Sequence, residues 1–307
     1  MSFTLPLQLF YLIKVIIMRS VIQHLRFHFS FFLMPVFLFA YSQTSEPNFS
    51  KTVWAFVILH LMIYPASNAF NSYFDKDEGP IGGIERPMPV EKGLYYTANF
   101  IDFLAILLAY FTCNFNFALS ILIYILISKA YSHPLIRLKK YPLMSWLVVG
   151  LFQGAFIYLS VFQLINNQFS VFFEKSSLLP ALLTSLNLWA FYPITQIYQH
   201  DADASRGDIT LSLKLGIRGT LTFTAVLFLF STIGFGYFFS EQNVWVSHNF
   251  ILYLICMAPA LLFYNYWLVK CWKDQSNANF KNTMRMNLIG SICLNLFFVL
   301  LIFFEKN

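Results

Sequence analysis

Charge is what this sequence has least of. Of its 307 residues only 11% are Asp, Glu, Lys or Arg, where a soluble domain carries about 25%, so a water-exposed globule is excluded. Acids are the scarcer sign, 14 against 20 Lys and Arg. Four cysteines, Cys113, Cys256, Cys271 and Cys293, form no short-spaced pair, which argues against a disulfide framework and a thiolate zinc site. No segment sustains the alternation of apolar and polar residues that a barrel strand needs. Residues 1–18 are apolar but lack an early basic region and a small-residue cleavage site, so they are read as an interfacial helix on the membrane and not as a removable signal peptide. Residues 19–307 then form a single membrane-embedded domain.

What the chain has in excess is apolar surface: 58% hydrophobic residues, 20% aromatic, mean hydropathy +0.62. Runs long enough to cross a bilayer as helices fall near 21–41, 52–72, 95–112, 115–131, 144–165, 178–199, 219–239, 250–271 and 284–304. The fold class is therefore all-α, a polytopic membrane bundle of about nine spans. With the N-terminus in the cytoplasm, 17 of the 20 basic residues lie in cytoplasmic segments, and only Lys51, Lys175 and Lys306 fall outside. That bias supports both the count and the orientation. The net charge of +6 is thereby a topology signal, and no nucleic-acid partner is expected. The expected location is a bacterial cytoplasmic membrane, with the active site on the cytoplasmic side.

The few acids are not spread evenly. Asn68, Asn71 and Asp75 stand at i, i+3 and i+7, on one helical face at the end of the second span, and Asp77 and Glu78 follow before Gly79-Pro80 and Gly82-Gly83 break the helix. Gln196, Gln199 and Asp203 repeat that spacing after the sixth span, with Asp201 between. Eight of the 14 acids, Asp75, Asp77, Glu78, Glu85, Glu91, Asp201, Asp203 and Asp208, lie in these two loops. Bare carboxylates brought together repel, so a cation is expected between the loops. Neutralising one acid should then slightly stabilise the metal-free protein. Oxygen ligands of this kind suit Mg2+, which takes one or two carboxylates and fills its remaining positions with water and phosphate oxygens.

Other polar residues carry less. A third, basic loop follows the fourth span and carries Lys129, Tyr131, Arg137 and Lys139. Asp102 reads as an acid favoured near a helix N-terminus and stays outside the site. Arg26 and His28 read as interfacial anchors, and Asn265, Asn287 and Asn295 of the later spans read as packing or interhelical hydrogen bonds.

Together these features resemble the UbiA superfamily of intramembrane prenyltransferases, over roughly residues 20–300. In that family the first motif reads Asn-Asp-x-x-Asp-x-x-x-Asp; Asn71 and Asp75 match it, while Ser72 and Gly79 replace its first and last Asp. Arg86-Pro-Met-Pro is similar to the Arg-Pro-Leu-Pro that follows in many members. In the second motif Asp203, Gly207, Thr210, Leu211 and Gly216 align, and Gln199 stands where many members have Asp. The family's Tyr-x-x-x-Lys signature is not intact before Lys129, whereas the loop 131–139 resembles members that transfer chains to chlorophyllide, homogentisate or archaeal glycerol lipids.

The resemblance implies an isoprenoid diphosphate held between the two motifs through Mg2+. The metal ligands would come from Asp75, Asp77, Glu78, Asp201 and Asp203, and substrate contacts from Asn68, Asn71, Tyr131, Arg86 and Gln199. Arg137, Lys139 and Lys129 would neutralise the departing diphosphate, and aromatic faces would stabilise the allylic cation. The implied acceptor is aromatic, of the quinone or pigment type, with a glycerol-phosphate-type lipid as the alternative. A cation-coupled transporter is a weaker reading, because its acids belong near the bilayer midplane and these sit at helix ends.

Overall fold

The computed structural model describes residues 4–168, 170, 172, 174–240 and 247–306. Among the described residues eight helices are long and apolar enough to cross a membrane: Phe49–Asp75, Lys92–Cys113, Phe115–Ser132, Pro142–Asn166, Ser176–Gln196, Leu211–Ser240, His248–Lys273 and Phe280–Phe304. Counted as one broken span, the pair Lys14–Phe32 and Met34–Ser42, bent by 41°, brings the number to nine and is called span one here. No strand forms among these residues, and an isolated bridge pairs Ile81 with Ile84. The protein is thus an all-α polytopic membrane bundle. Helix Thr4–Leu25 runs past residue 18 without interruption, so no change of secondary structure marks that boundary.

Local chemistry explains the irregularities that shape the interior. In the first span the α-helix ends at Leu25, where Arg26 takes a left-handed backbone, φ 47°, a conformation that costs a non-glycine residue energy; a 3-10 turn Phe27–Phe32 follows, the bend falls at Leu33, and Pro35 opens the second half. In span two, Pro65 has no N–H to donate and its ring crowds the carbonyl four residues back, and a π-helical segment Val57–Ile63 precedes it. Its wider turn shifts the angular phase of the residues that follow, including Asn68, Asn71 and Asp75. Span three ends in a second π-segment, Ala109–Cys113, and span five has a third, Leu151–Phe156, where Ala155 N–H donates to Ser185 Oγ at 3.0 Å. That bond meets the rule that backbone groups within a bilayer need protein partners. Gly154 permits this approach, since a Cβ there would lie 2.7 Å from the Ser185 backbone.

Spans six and seven pack together, span nine lies on span eight and on the second half of span one, and span two lies on span three. One end of the bundle gathers the loops after spans two, four, six and eight: Lys139 reaches Asp75, Arg137 reaches Asp208, Gln199 Nε2 donates to Pro80 O, and Gly83 N–H donates to Met284 Sδ. At the other end Lys51 bonds Asn167. The floor between them is aromatic, with Phe39 stacked on Phe298 at 4.7 Å and Phe235, Tyr158 and Phe297 packed around them.

Candidate active site

A cavity of about 280 Å³ opens among spans one, two, four, five, six and nine below the gathered loops. Its mouth is ionic and its depth is apolar. Span two ends at Asp75, where Lys76 turns the chain through a left-handed residue, φ 49°. Asn68, Asn71, Asp75 and Asp77 all line the cavity, with Asn71 Oδ1 accepting from Ser132 Oγ at 2.5 Å. The loop beyond is folded back by a tight turn at Gly82-Gly83, where the positive φ of Gly83 and the nearness of His28 leave no room for a side chain. The second acidic element is the short helix His200–Arg206, which turns Asp203 inward.

Every inward carboxylate is held by a cation. Asp75, whose side chain is 7% exposed, pairs with Lys139 and stands 3.9 Å from Arg137. Arg137 grips Asp208 with two bonds of 2.9 and 2.8 Å, the bidentate geometry that makes such pairs strong. Arg206 bridges the two acidic loops, binding Asp77 and, at 2.8 Å, Asp203. Arg26 completes the mouth from span one, donating to the Asn68 carbonyl at 3.1 Å. Four acids, Asp75, Asp77, Asp203 and Asp208, therefore face four cations, Arg26, Arg137, Lys139 and Arg206. Burial pushes Asp203 up to about 6 against the pull of Arg206. Asp208 is lowered instead: burial works against ionisation, but the Arg137 hydrogen bonds and the nearby Lys139 and Arg206 outweigh it.

Among the residues expected at the site, Asn68, Asn71, Asp75, Asp77, Tyr131, Lys139, Gln199 and Asp203 line the cavity, and Arg137 joins it through Asp208. Glu78, Arg86 and Asp201 are exposed and do not line it. Lys129 turns away, pairing with Asp102 at 2.8 Å, bonding Asn99 at 2.6 Å and capping the Phe70 ring. It therefore stands apart from the other cations, and Asp102 has a structural partner. Sequence reasoning did not place Arg206, Asp208, Tyr192 or Asn287 at the site. Arg206 and Asp208 flank the motif glycine Gly207, a position that could have marked them. The carboxylates do not repel across an empty gap, as the sequence suggested, because cations already separate them.

Could these residues hold a divalent metal? Among the described residues no three His, Cys, Asp or Glu side chains are grouped to hold one. The donor chemistry nonetheless fits a hard cation that takes one or two carboxylates and completes its shell with water and phosphate oxygens: Asp75, Asp77 and Asp203 face one cavity together with the amides Asn68, Asn71 and Gln199.

The described helices thus enclose a cavity with a charge-balanced mouth and an apolar depth inside a bundle of membrane-length spans. The sequence model of the UbiA prenyltransferase family matches residues 31–289, and the chain belongs to that family. It is a membrane-embedded prenyltransferase. Among solved structures it is similar to a UbiA homologue from Aeropyrum pernix K1 (16% identity, 89% of this chain and 97% of that one, TM-score 0.67). It is also similar to a UbiA homologue from Archaeoglobus fulgidus solved with GPP and Mg2+ (16%, 92% and 99%, 0.64). A digeranylgeranylglyceryl phosphate synthase matches at 18%, over 93% and 98%, with a TM-score of 0.58. At these identities the likeness establishes the fold. No curated protein matches the chain.

Proposed function

We propose that the protein transfers an isoprenoid chain from a prenyl diphosphate to an acceptor, with Mg2+ as cofactor and an aromatic ring as the acceptor's reacting part. The observation that carries this reading is the cavity itself: paired acids and cations at the mouth, and Phe29, Phe32, Phe152 and Phe191 among the walls below. Asp75, Asp203 and Asp77 would hold Mg2+. Bound there, the metal supplies positive charge to the leaving diphosphate.

Arg137, Lys139 and Arg206 bind diphosphate oxygens. Lys139 and Arg206 now pair with Asp75, Asp77 and Asp203 and would turn to phosphate oxygens if those aspartates held the metal, while Arg137 would keep its bidentate partner Asp208 and offer its remaining N–H groups. The C1–O bond breaks, its electron pair leaves with the diphosphate, and the allylic cation is flanked by aromatic faces whose quadrupoles stabilise positive charge. Tyr131 and Tyr192, hydrogen-bonded to each other on the cavity wall, stand among those faces. The acceptor attacks C1, and the proton displaced from its carbon leaves to the diphosphate or to water. Burial of the site by spans one, two, four, five, six and nine keeps water from capturing the cation. The active end faces the cytoplasm, as the basic bias of its loops requires.

The test is transfer from labelled prenyl diphosphates in nanodiscs, with aromatic and glycerol-phosphate acceptors offered in parallel and products read by mass spectrometry. Prenylated aromatic product that vanishes in EDTA is expected. No product from any pair, or turnover undiminished in excess EDTA, overturns the reading.

A further inference from the structure

On the span-nine wall of the cavity stands Asn287. It is 4% exposed and lines the cavity, yet neither its amide oxygen nor its amide nitrogen has a hydrogen-bond partner. Because both atoms are unpartnered, exchanging the amide's two ends would change nothing. A buried polar atom left unpaired costs free energy on the order of 1–3 kcal/mol, so a side chain with two of them is poorly explained as packing. Across on span six, Gln196 is 6% exposed; its Nε2 donates to Tyr192 Oη at 2.9 Å, and its Oε1 has no partner. It lines the same cavity.

Depth places Asn287 just below the ionic mouth. Met284, which accepts from Gly83 N–H in the acidic loop, is three residues earlier on the same helix, about 4.5 Å higher at 1.5 Å per residue. The cavity wall therefore carries two amide oxygens without donors, with Asn287 just below the ionic mouth. A prenyl diphosphate could accept from the Asn287 N–H but supplies neither oxygen with a donor, since its ionised head only accepts and its hydrocarbon tail does neither. A hydroxyl does both: its proton satisfies an amide oxygen and its lone pair takes an amide N–H.

We propose that Asn287, with Gln196, positions the acceptor by binding its hydroxyl group. This rests on the prenyl-transfer reading above and sharpens it: the acceptor carries a free hydroxyl, phenolic or alcoholic, at the depth of Asn287. The two amides are positioning residues, and the donor half of the reaction does not need them.

The experiment measures binding, so that it does not depend on turnover. Wild type, Asn287→Leu and Gln196→Met in nanodiscs are loaded with Mg2+ and geranyl thiolodiphosphate, whose sulfur link resists transfer. 1,4-Dihydroxynaphthalene and glycerol 1-phosphate are then titrated calorimetrically, each beside its O-methylated counterpart. Wild type is expected to bind one hydroxyl probe about ten-fold tighter than its O-methyl form, the value of one or two hydrogen bonds. Which of the two it is separates a phenol from an alcohol. In Asn287→Leu the ratio should fall to about three-fold or less, and in Gln196→Met it should also fall, with thiolodiphosphate affinity unchanged within about two-fold. Ligand-free Asn287→Leu should melt no lower than wild type, since an unpaired amide has been replaced by an apolar side chain; a purely structural Asn would give the opposite. A ratio preserved in both variants, or no binding of either hydroxyl probe to wild type, overturns the proposal. A loss of thiolodiphosphate or Mg2+ affinity in Asn287→Leu overturns it too, by assigning the amide to the donor half. Failure of wild type to bind thiolodiphosphate at all strikes the prenyl-transfer reading itself.

Discussion

Asp75→Asn separates the ion-pair account of this site from one built on carboxylate repulsion, because the two give opposite signs. The substitution keeps the shape of the side chain and removes its charge. Its partner Lys139, 9% exposed, then loses the carboxylate it touches. Removing one member of a buried pair costs about 3–5 kcal/mol. Asp208 remains 3.9 Å from Lys139, so the lysine is not left without a counter-charge and the net destabilisation should fall below that range, at about 1–3 kcal/mol. A metal-free melt should therefore fall by several degrees. With Mg2+ and prenyl diphosphate at about 100 times their dissociation constants, wild type gains about 2.7 kcal/mol of stability; the variant should lose most of that gain. Turnover should drop at least about 100-fold, a barrier increase of about 2.7 kcal/mol. The assay is a thermal melt in nanodiscs with and without Mg2+ and diphosphate, beside a product assay. A metal-free variant melting at or above wild type refutes the ion-pair account, and full turnover in a well-folded variant removes Asp75 from the metal.

Asp203→Asn should lower turnover to a similar extent, while Asp201→Asn and Glu78→Gln, both on exposed side chains, should change it by less than about three-fold; steady-state kinetics decide it. Because burial raises Asp203 to about 6, above its unfolded value near 3.8, its contribution to folding favours low pH and is lost as pH rises from about 4 to 6. Mg2+ affinity should run the other way, falling below about pH 6 as protons compete for the same oxygen; a calorimetric Mg2+ titration flat from pH 5 to 8 contradicts this. Affinity for prenyl diphosphates should rise with chain length, by about 0.8 kcal/mol per buried CH2, and level off where the aromatic floor at Phe39 and Phe298 closes the cavity; equal binding of all lengths removes the apolar cleft. Cysteines at Gly82 and Ser205 should be labelled from the same side of sealed vesicles, the cytoplasmic one, and labelling from outside only refutes the orientation.

The spans were legible because lipid demands about twenty apolar residues in a row, and that demand leaves no subtlety in the sequence. The irregular middle of span one was not, since nothing in its composition announces that Arg26 will take a left-handed backbone or that a 3-10 turn will run from Phe27 to Phe32 before the bend at Leu33. At the site, the i, i+3, i+7 spacing correctly named one face of span two, but it could not say where the helix would stop. Asp75 is its last residue, Lys76 reverses the chain, and Glu78 ends up facing outward. Asp201 and Asp203 sit in one short helix two positions apart, about 200° round its axis, so only one of them can face the cavity. Lys129 was read with Arg137 and Lys139 as one of the cations of the basic loop after span four, but it meets Asp102 on span three instead. Asn287 looked like a packing amide in a Phe- and Leu-rich helix; it lines the cavity with both amide atoms unpartnered, whereas Asn295 stands off the cavity, donates from Nδ2 to Phe31 O at 3.3 Å and leaves its oxygen alone unpaired.

The ionic mouth also explains how so few charges suffice. An isolated carboxylate or guanidinium buried at a membrane face is expensive, and bare acids gathered for a metal would repel until it arrived. Interleaving four acids with four cations makes the resting site electrically balanced, and on the proposed reading it would make binding an exchange of partners. Asp75, Asp77 and Asp203 would pass to a divalent cation and Lys139 and Arg206 to the phosphates of a diphosphate entering with it, with Arg137 keeping Asp208, so little charge would be left unpaired at either stage. The arrangement works only for the two ligands jointly. Mg2+ alone would strip the cations of their partners, and diphosphate alone would do the same to the acids. Each ligand should therefore bind weakly by itself and strengthen the other's affinity by the same factor, as linkage requires.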